Sequence, residues 1–152
     1  MAYFFYGTLC DPDVLRLVLG YRPGPRQLSP AILAGFRRKT ARGRGYPVLV
    51  PAPAGRIAGL VFRPARPGDH RRLADYEGPE YVARLLPVRP IAAPAAAGLP
   101  RVRVFLAARG PQGGSRLPPG SEDWLPARWR RRDKTRFIAS LMTQGPVPCA
   151  HP

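Results

Sequence analysis

Residues Ala2 to Tyr6 are apolar or aromatic without interruption, and Gly7 stops the run. That is the pattern of a short buried strand entering a turn. Asp11 then offers a helix N-cap with Pro12 at the first helical position, Val14, Leu15, Val18 and Leu19 recur at helical spacing, and Gly20 supplies a C-terminal stop. The chain therefore begins as strand, glycine turn and helix.

The remaining pattern is richer in strands than in helices. Leu28 to Lys39 suits a strand, and Val48 to Val50 and Ile57 to Arg63 read as further strands separated by Pro51, Pro53 and Gly55. Pro67 to Tyr76 resembles a short amphipathic helix with Leu73 and Tyr76 three apart. Tyr81 to Arg89 is predicted as a strand, Ile91 to Pro100 as a hairpin or flexible crossing, and Arg101 to Ala108 as the partner strand. Gly110 to Gly120 is expected to be a loop. A last helix is expected from Ser121, with Glu122 and Asp123 in its first turn and Phe137, Ile138, Leu141 and Met142 as its apolar stripe. This irregular order predicts one α+β domain over residues 1–143, with a mixed, mostly antiparallel sheet closed into a small barrel and flanked by helices. Residues 144–152 are expected to form a disordered tail.

A chain of 152 residues, 45% of them hydrophobic, can bury one core. The first residues have no basic leader and their apolar run is broken by Gly7, so a signal peptide or membrane span is not expected and a cytoplasmic location is. Cys10 and Cys149 lack metal-ligand spacing and are expected to be free thiols. The net charge of +16 raises the question of nucleic acid. Only Lys39 and Lys134 are lysines, however, and arginine is abundant together with Pro, Gly and Ala. Coding bias explains that better than a partner does. The densest cluster, from Arg128 to Arg136, is not interleaved with stacking aromatics, although Trp129 and Phe137 flank it. The arginines are expected to be solvated and spread, with no groove joining them.

Elimination narrows the chemistry. The two histidines are His70, in a predicted helix, and His151, beside the C-terminus, so neither a His-based triad nor a metal site is expected. Nucleophile-elbow and phosphate-loop motifs are absent. Nine carboxylates remain. Asp11, Asp13, Asp69, Glu122 and Asp123 fall at helix starts, where the dipole favours them without any function. Glu77 instead ends a helix, where the dipole opposes its charge, and stands between Tyr76 and Gly78 with apolar residues on either side, so its pKa should rise toward the range of a general acid or base. An ordinary surface glutamate explains the same position equally well. Glu80, near the start of a strand, has no assigned role. The turn Tyr6-Gly7-Thr8-Leu9 can aim several backbone N–H groups at one point, as an oxyanion site does, though strand-glycine-helix turns are common without function.

Phe4-Phe5-Tyr6-Gly7-Thr8-Leu9, Gly35-Phe36, Gly45-Tyr46-Pro47, Ile57 to Phe62 and Leu73-Ala74-Asp75-Tyr76-Glu77-Gly78-Pro79-Glu80-Tyr81 together resemble the gamma-glutamylcyclotransferase-like family, in its short branch named after avirulence-induced plant genes. Trp124 and Trp129 resemble its C-terminal segment. The resemblance implies a small mixed barrel and an enzyme that releases 5-oxoproline from a gamma-glutamyl amine or amide without metal or cofactor. By that resemblance Glu77 is the acid/base, the backbone of Gly7, Thr8 and Leu9 holds the glutamyl group, and Tyr6 and Tyr81 line the pocket. Thr8-Leu9 stands where glutathione-related branches carry Ser-Asn-Leu. Two other classes share these features: a non-catalytic module binding an amino-acid-like ligand, and an arginine-rich nucleic-acid binder.

Overall fold

The computed structural model describes residues 1–94 and 97–144. The expected tail beyond Gln144, with Cys149 and His151, lies outside them. Seven strands form one sheet: β1 (Tyr3–Phe5), β2 (Leu28–Ala41), β3 (Pro47–Phe62), β4 (Tyr81–Pro87), β5 (Arg89–Pro90), β6 (Arg101–Ala107) and β7 (Pro119–Asp123). Among the described residues four α-helices accompany them: α1 (Pro12–Leu19), α2 (Asp69–Glu77), α3 (Pro126–Arg132) and α4 (Lys134–Thr143). The strand order is β4-β6-β1-β3-β2-β5, with β7 added to β2. Among the described residues only the β1–β6 pair is parallel. The fold is thus the expected mixed, mostly antiparallel α+β architecture, with the sheet curled into a half-barrel. The curl is visible in one run of chain: β4 pairs with β6 at one end of the sheet, and only Val88, fully buried, separates it from β5, which pairs with β2 at the other end.

β1 explains the arrangement of the core. Side chains alternate across a strand, so Tyr3 and Phe5 face one side and Phe4 and Tyr6 the other. Tyr3 and Phe5 join Leu9, Val14, Leu15, Leu19 and Leu73 beneath the helices. Phe4 and Tyr6 join Ala31, Leu33, Ile57, Val61 and Val104 inside the curled sheet. The strand is buried on both faces, which is why its sequence is uniformly apolar rather than alternating. Gly59 lets β3 approach this closely, because a Cβ there would overlap the Phe5 carbonyl and the Phe4 ring. Helix α1 starts as its sequence requires: the Asp11 carboxylate accepts from the Asp13 and Val14 amides, Pro12 follows, and Gly20 closes the helix at φ 75°.

Several elements differ from the sequence reading. The segment from Pro47 to Phe62 is one strand, not two. Its register shifts between Ala34 and Phe36 of β2, so Ala34 pairs with Arg56 and Phe36 with Pro51. Pro53 falls inside this bulge, where no ladder donor is required of it. The run Tyr81 to Arg89 divides at Val88 because its two halves pair at opposite ends of the sheet. Glu122 and Asp123 lie on β7, not in a helix. Asp123 is held there by Lys39 at 2.8 Å, and Pro126 marks the true helix start. The closing helix itself breaks at Asp133 into α3 and α4. Asp69 does more than start α2: fully buried, its Oδ2 accepts from the Ala65 and Arg66 amides and from the Tyr21 hydroxyl. Among the described residues no helix is long and apolar enough to cross a membrane.

Candidate active site

The turn after β1 and the C-terminal end of α2 meet at one cavity of about 550 Å³. Tyr6, Gly7, Thr8, Leu9, Glu77 and Tyr81 all line it, so the six residues that the resemblance assigned to the site share one cavity. Gly7 precedes a single 3₁₀ turn over Thr8–Cys10. The Gly7 and Thr8 carbonyls accept from the Cys10 and Asp11 amides. The amides of Gly7, Thr8 and Leu9 find no backbone acceptor across turns or loops among the described residues, as expected at the start of such a turn. The Tyr6 carbonyl is fixed from outside by Arg38, whose guanidinium donates to it at 3.0 Å and lies over the Trp124 ring.

Glu77 is the last residue of α2, and Gly78 then turns the chain sharply at φ 69° and ψ −172° toward β4. Burial alone pushes the Glu77 carboxyl up to about 8. Tyr6, Tyr46, Tyr76 and Tyr81 all feel its charge, and burial first and Glu77 further raise each phenol, so all four remain protonated. Each phenol is nevertheless occupied elsewhere. Tyr6 donates to the Phe105 carbonyl, Tyr81 to the Pro47 carbonyl at 2.8 Å and Tyr46 to Glu80 at 2.9 Å, while Tyr76 pairs with Thr8. The Glu77 carboxyl makes no hydrogen bond or ion pair among the described residues. It is a carboxyl with a raised pKa whose lone pairs are free for whatever enters the cavity.

Sequence reasoning missed part of the wall. The loop between β2 and β3 contributes Gly43 to Tyr46, and α3 and α4 contribute Trp129, Asp133, Phe137, Ser140 and Leu141. Glu80, which had no assigned role, lines the cavity too and holds that loop through Arg44 at 3.1 Å and Tyr46. The Gly45-Tyr46-Pro47 motif was the available signal for the loop; nothing in the spacing of Glu80 revealed its partners. Asp11 reaches beyond its cap to Lys134, which also bridges to Asp13, so α4 is tied to the start of α1. Cys10, whose thiol donates to the Phe5 carbonyl, is pushed up to about 12 by burial and is therefore an unreactive thiol at neutral pH. His70 hydrogen-bonds to Tyr3 away from the cavity. Among the described residues no cluster of potential ligands could hold a metal ion.

The arginines are not evenly spread. Arg42, Arg44, Arg128, Arg132 and Arg136 line a neighbouring cavity, so the expectation that no groove joins them is corrected. The fold rather than the spacing gathers them, since the β2–β3 loop packs beside α3 and α4. Trp129, a candidate stacking residue for single-stranded nucleic acid, is only 2% exposed and edge-packed against Phe137. It offers no platform for bases.

A family model described as gamma-glutamyl cyclotransferase, AIG2-like, matches residues 3–126. The chain belongs to this family. AIG2-like protein A of Arabidopsis thaliana is 36% identical over 78 residues, which are 51% of this chain and 46% of that protein. The chain thus matches about half the length of the curated relatives. A solution structure of another Arabidopsis thaliana protein is 26% identical and superposes with a TM-score of 0.60, covering 91% of this chain and 86% of its own. A structure described as gamma-glutamyl cyclotransferase, 14% identical, covers all of this chain and 92% of its own with a TM-score of 0.56, a likeness of fold. The family match ends where α3 begins, so the wall built from α3 and α4 lies beyond it.

Proposed function

We propose that this protein is a cyclotransferase that releases 5-oxoproline from a gamma-glutamyl amine or amide, with Glu77 as general acid/base. The observation that carries this reading is the unpartnered Glu77 carboxyl, raised to about 8 by burial, in one cavity with the Gly7–Leu9 turn. The substrate's α-nitrogen attacks its own γ-carbonyl carbon as a neutral amine. Glu77 takes the proton that the nitrogen sheds as the new C–N bond forms. It returns that proton to the leaving nitrogen as the old C–N bond breaks. The turn amides stabilise the tetrahedral oxyanion, each donor contributing on the order of 3 kcal/mol. Because ring closure is intramolecular, positioning supplies much of the rest, out of roughly 7 to 11 kcal/mol available from orientation. Tyr6 and Tyr81, their phenols already engaged, act as rigid walls for the glutamyl chain.

The test is 5-oxoproline release from a panel of gamma-glutamyl amines and amides by the wild type and by Glu77→Gln, with thermal melting of both. Gln keeps the volume but cannot shuttle a proton, so turnover should fall by about 10² to 10⁴ while the fold persists. Wild-type turnover in Glu77→Gln would remove Glu77 as the base. A wild type inactive on the whole panel would favour the binding-module reading.

A further inference from the structure

The cavity that holds Glu77 shares Gly43, Arg44, Trp129, Asp133 and Phe137 with the arginine-lined cavity, whose volume is about 720 Å³. Charges in this second cavity are unbalanced. Arg44 is paired with Glu80 and Arg128 with Glu122, while Asp123 is held by Lys39. Arg42, Arg132 and Arg136 form no ion pair among the described residues, and Asp133 is the one lining carboxylate there left without one. The lining thus carries three arginines and one carboxylate without an ion pair among the described residues, a surplus of two positive charges. At the shared wall the indole N–H of Trp129, itself only 2% exposed, is buried without an acceptor.

We propose that the second cavity is a leaving-group subsite for an amine half carrying two negative charges. The preferred substrates are then gamma-glutamyl conjugates of acidic amines, in which the glutamyl group occupies the Glu77 cavity and the anionic end extends toward Arg42, Arg132 and Arg136. This rests on the cyclotransferase reading above. Guanidinium groups bind carboxylate and phosphate alike through paired N–H donors, so the leaving amine is a dicarboxylate or a phosphate ester. The cavity opens to water, where a single exposed pair contributes little; several unpaired arginines around one dianion give a preference that salt weakens. Arg132 and Arg136 lie on α3 and α4, outside residues 3–126 that the family model matches.

The experiment measures calorimetric binding of three probes to Glu77→Gln, which holds substrate without consuming it, together with turnover of the same probes by the wild type. The probes are gamma-glutamyl-aspartate, gamma-glutamyl-phosphoethanolamine and gamma-glutamyl-propylamine. At least one anionic probe should bind about tenfold or more tightly than the propylamine conjugate at low salt, a preference of the size that cooperating ion pairs supply. That ratio should shrink in 0.5 M salt, roughly five times the ionic strength at which the Debye length is about 10 Å. It should fall to near one in Arg132→Ser/Arg136→Ser, whose exposed positions keep the helices folded. Which anion wins separates the dicarboxylate from the phosphate source. Equal binding of all three probes, no binding of any, or a preference untouched by the double substitution overturns the proposal. Charge-selective binding without turnover of any probe would leave the subsite standing and sink the cyclotransferase reading instead.

Discussion

The Thr8 hydroxyl and the Tyr76 phenol lie 2.6 Å apart, joining the turn after β1 to the last turn of α2, one residue before Glu77. This contact sets the separation between the turn amides and the carboxyl. Thr8→Val leaves a largely buried phenol without its partner, which costs about 1–3 kcal/mol. Turnover should fall by about 10- to 100-fold, since small misplacements in a reacting geometry are expensive. Tyr76→Phe should act in the same direction, and the double variant should lose less than the sum of the two, because one bond is removed in all three. Strict additivity in melting and turnover would show that the contact does not couple the elements.

Glu77 gives two pH dependences of definite sign. Turnover per substrate encounter, kcat/KM, should rise with pH to a limb near 8, as the carboxylate forms in the free enzyme. Stability should move the other way. The folded state binds the Glu77 proton more tightly than the unfolded chain does, so the stability linked to that proton is fully present below the ordinary glutamate range and is lost as pH rises through about 8. Wild type and Glu77→Gln should melt alike at pH 4, about the ordinary glutamate value. The wild type should become the less stable of the two by pH 8 and above. Parallel melting curves across this range would mean that Glu77 is not buried as its carboxyl.

Gly78 turns the chain at a backbone conformation that side chains rarely adopt, although a Cβ there would meet no neighbour within 4 Å. Gly78→Ala is therefore a test of backbone strain alone, with an expected cost of about 1–3 kcal/mol. Any relaxation moves Glu77, so turnover should drop more steeply than the melting temperature suggests. A variant that melts lower but turns over normally would separate the turn from the site.

Glu80 and Glu77 line the same cavity but should fail differently. Glu80 bonds to Tyr46 and to the half-exposed Arg44, both in the β2–β3 loop. Glu80→Ala frees that loop, so KM should rise several-fold with kcat little changed, and stability should fall by no more than about 1 kcal/mol because the ion pair is exposed. Glu80→Gln can still accept from Tyr46 and should be milder. A loss of kcat comparable to that of Glu77→Gln would give Glu80 a direct part in the chemistry.

The sequence by itself determined the local elements whose signals are short in range. The apolar run of β1, the Asp11-Pro12 cap, the Gly20 stop and the placement of Glu77 at the end of α2 all follow from neighbours within a few residues. The motifs carrying the family resemblance likewise brought Tyr6 to Leu9, Glu77 and Tyr81 together before any coordinates did. Tertiary structure decided what depends on distant partners. Pro53 tolerates a continuous β3 because a bulge opposite Gly35 releases it from the ladder, and Asp123 sits on a strand because β7 pairs with β2, where Asp123 stands opposite Lys39. The raised pKa of Glu77 comes from burial by distant parts of the chain, where the sequence offered the helix dipole and the apolar neighbours. Glu80 and the arginine-lined cavity were invisible for the same reason: their meaning lies in pairings of side chains from the β2–β3 loop, β4 and α3–α4, far apart in sequence, and linear spacing carries no record of which charges end up paired and which remain free.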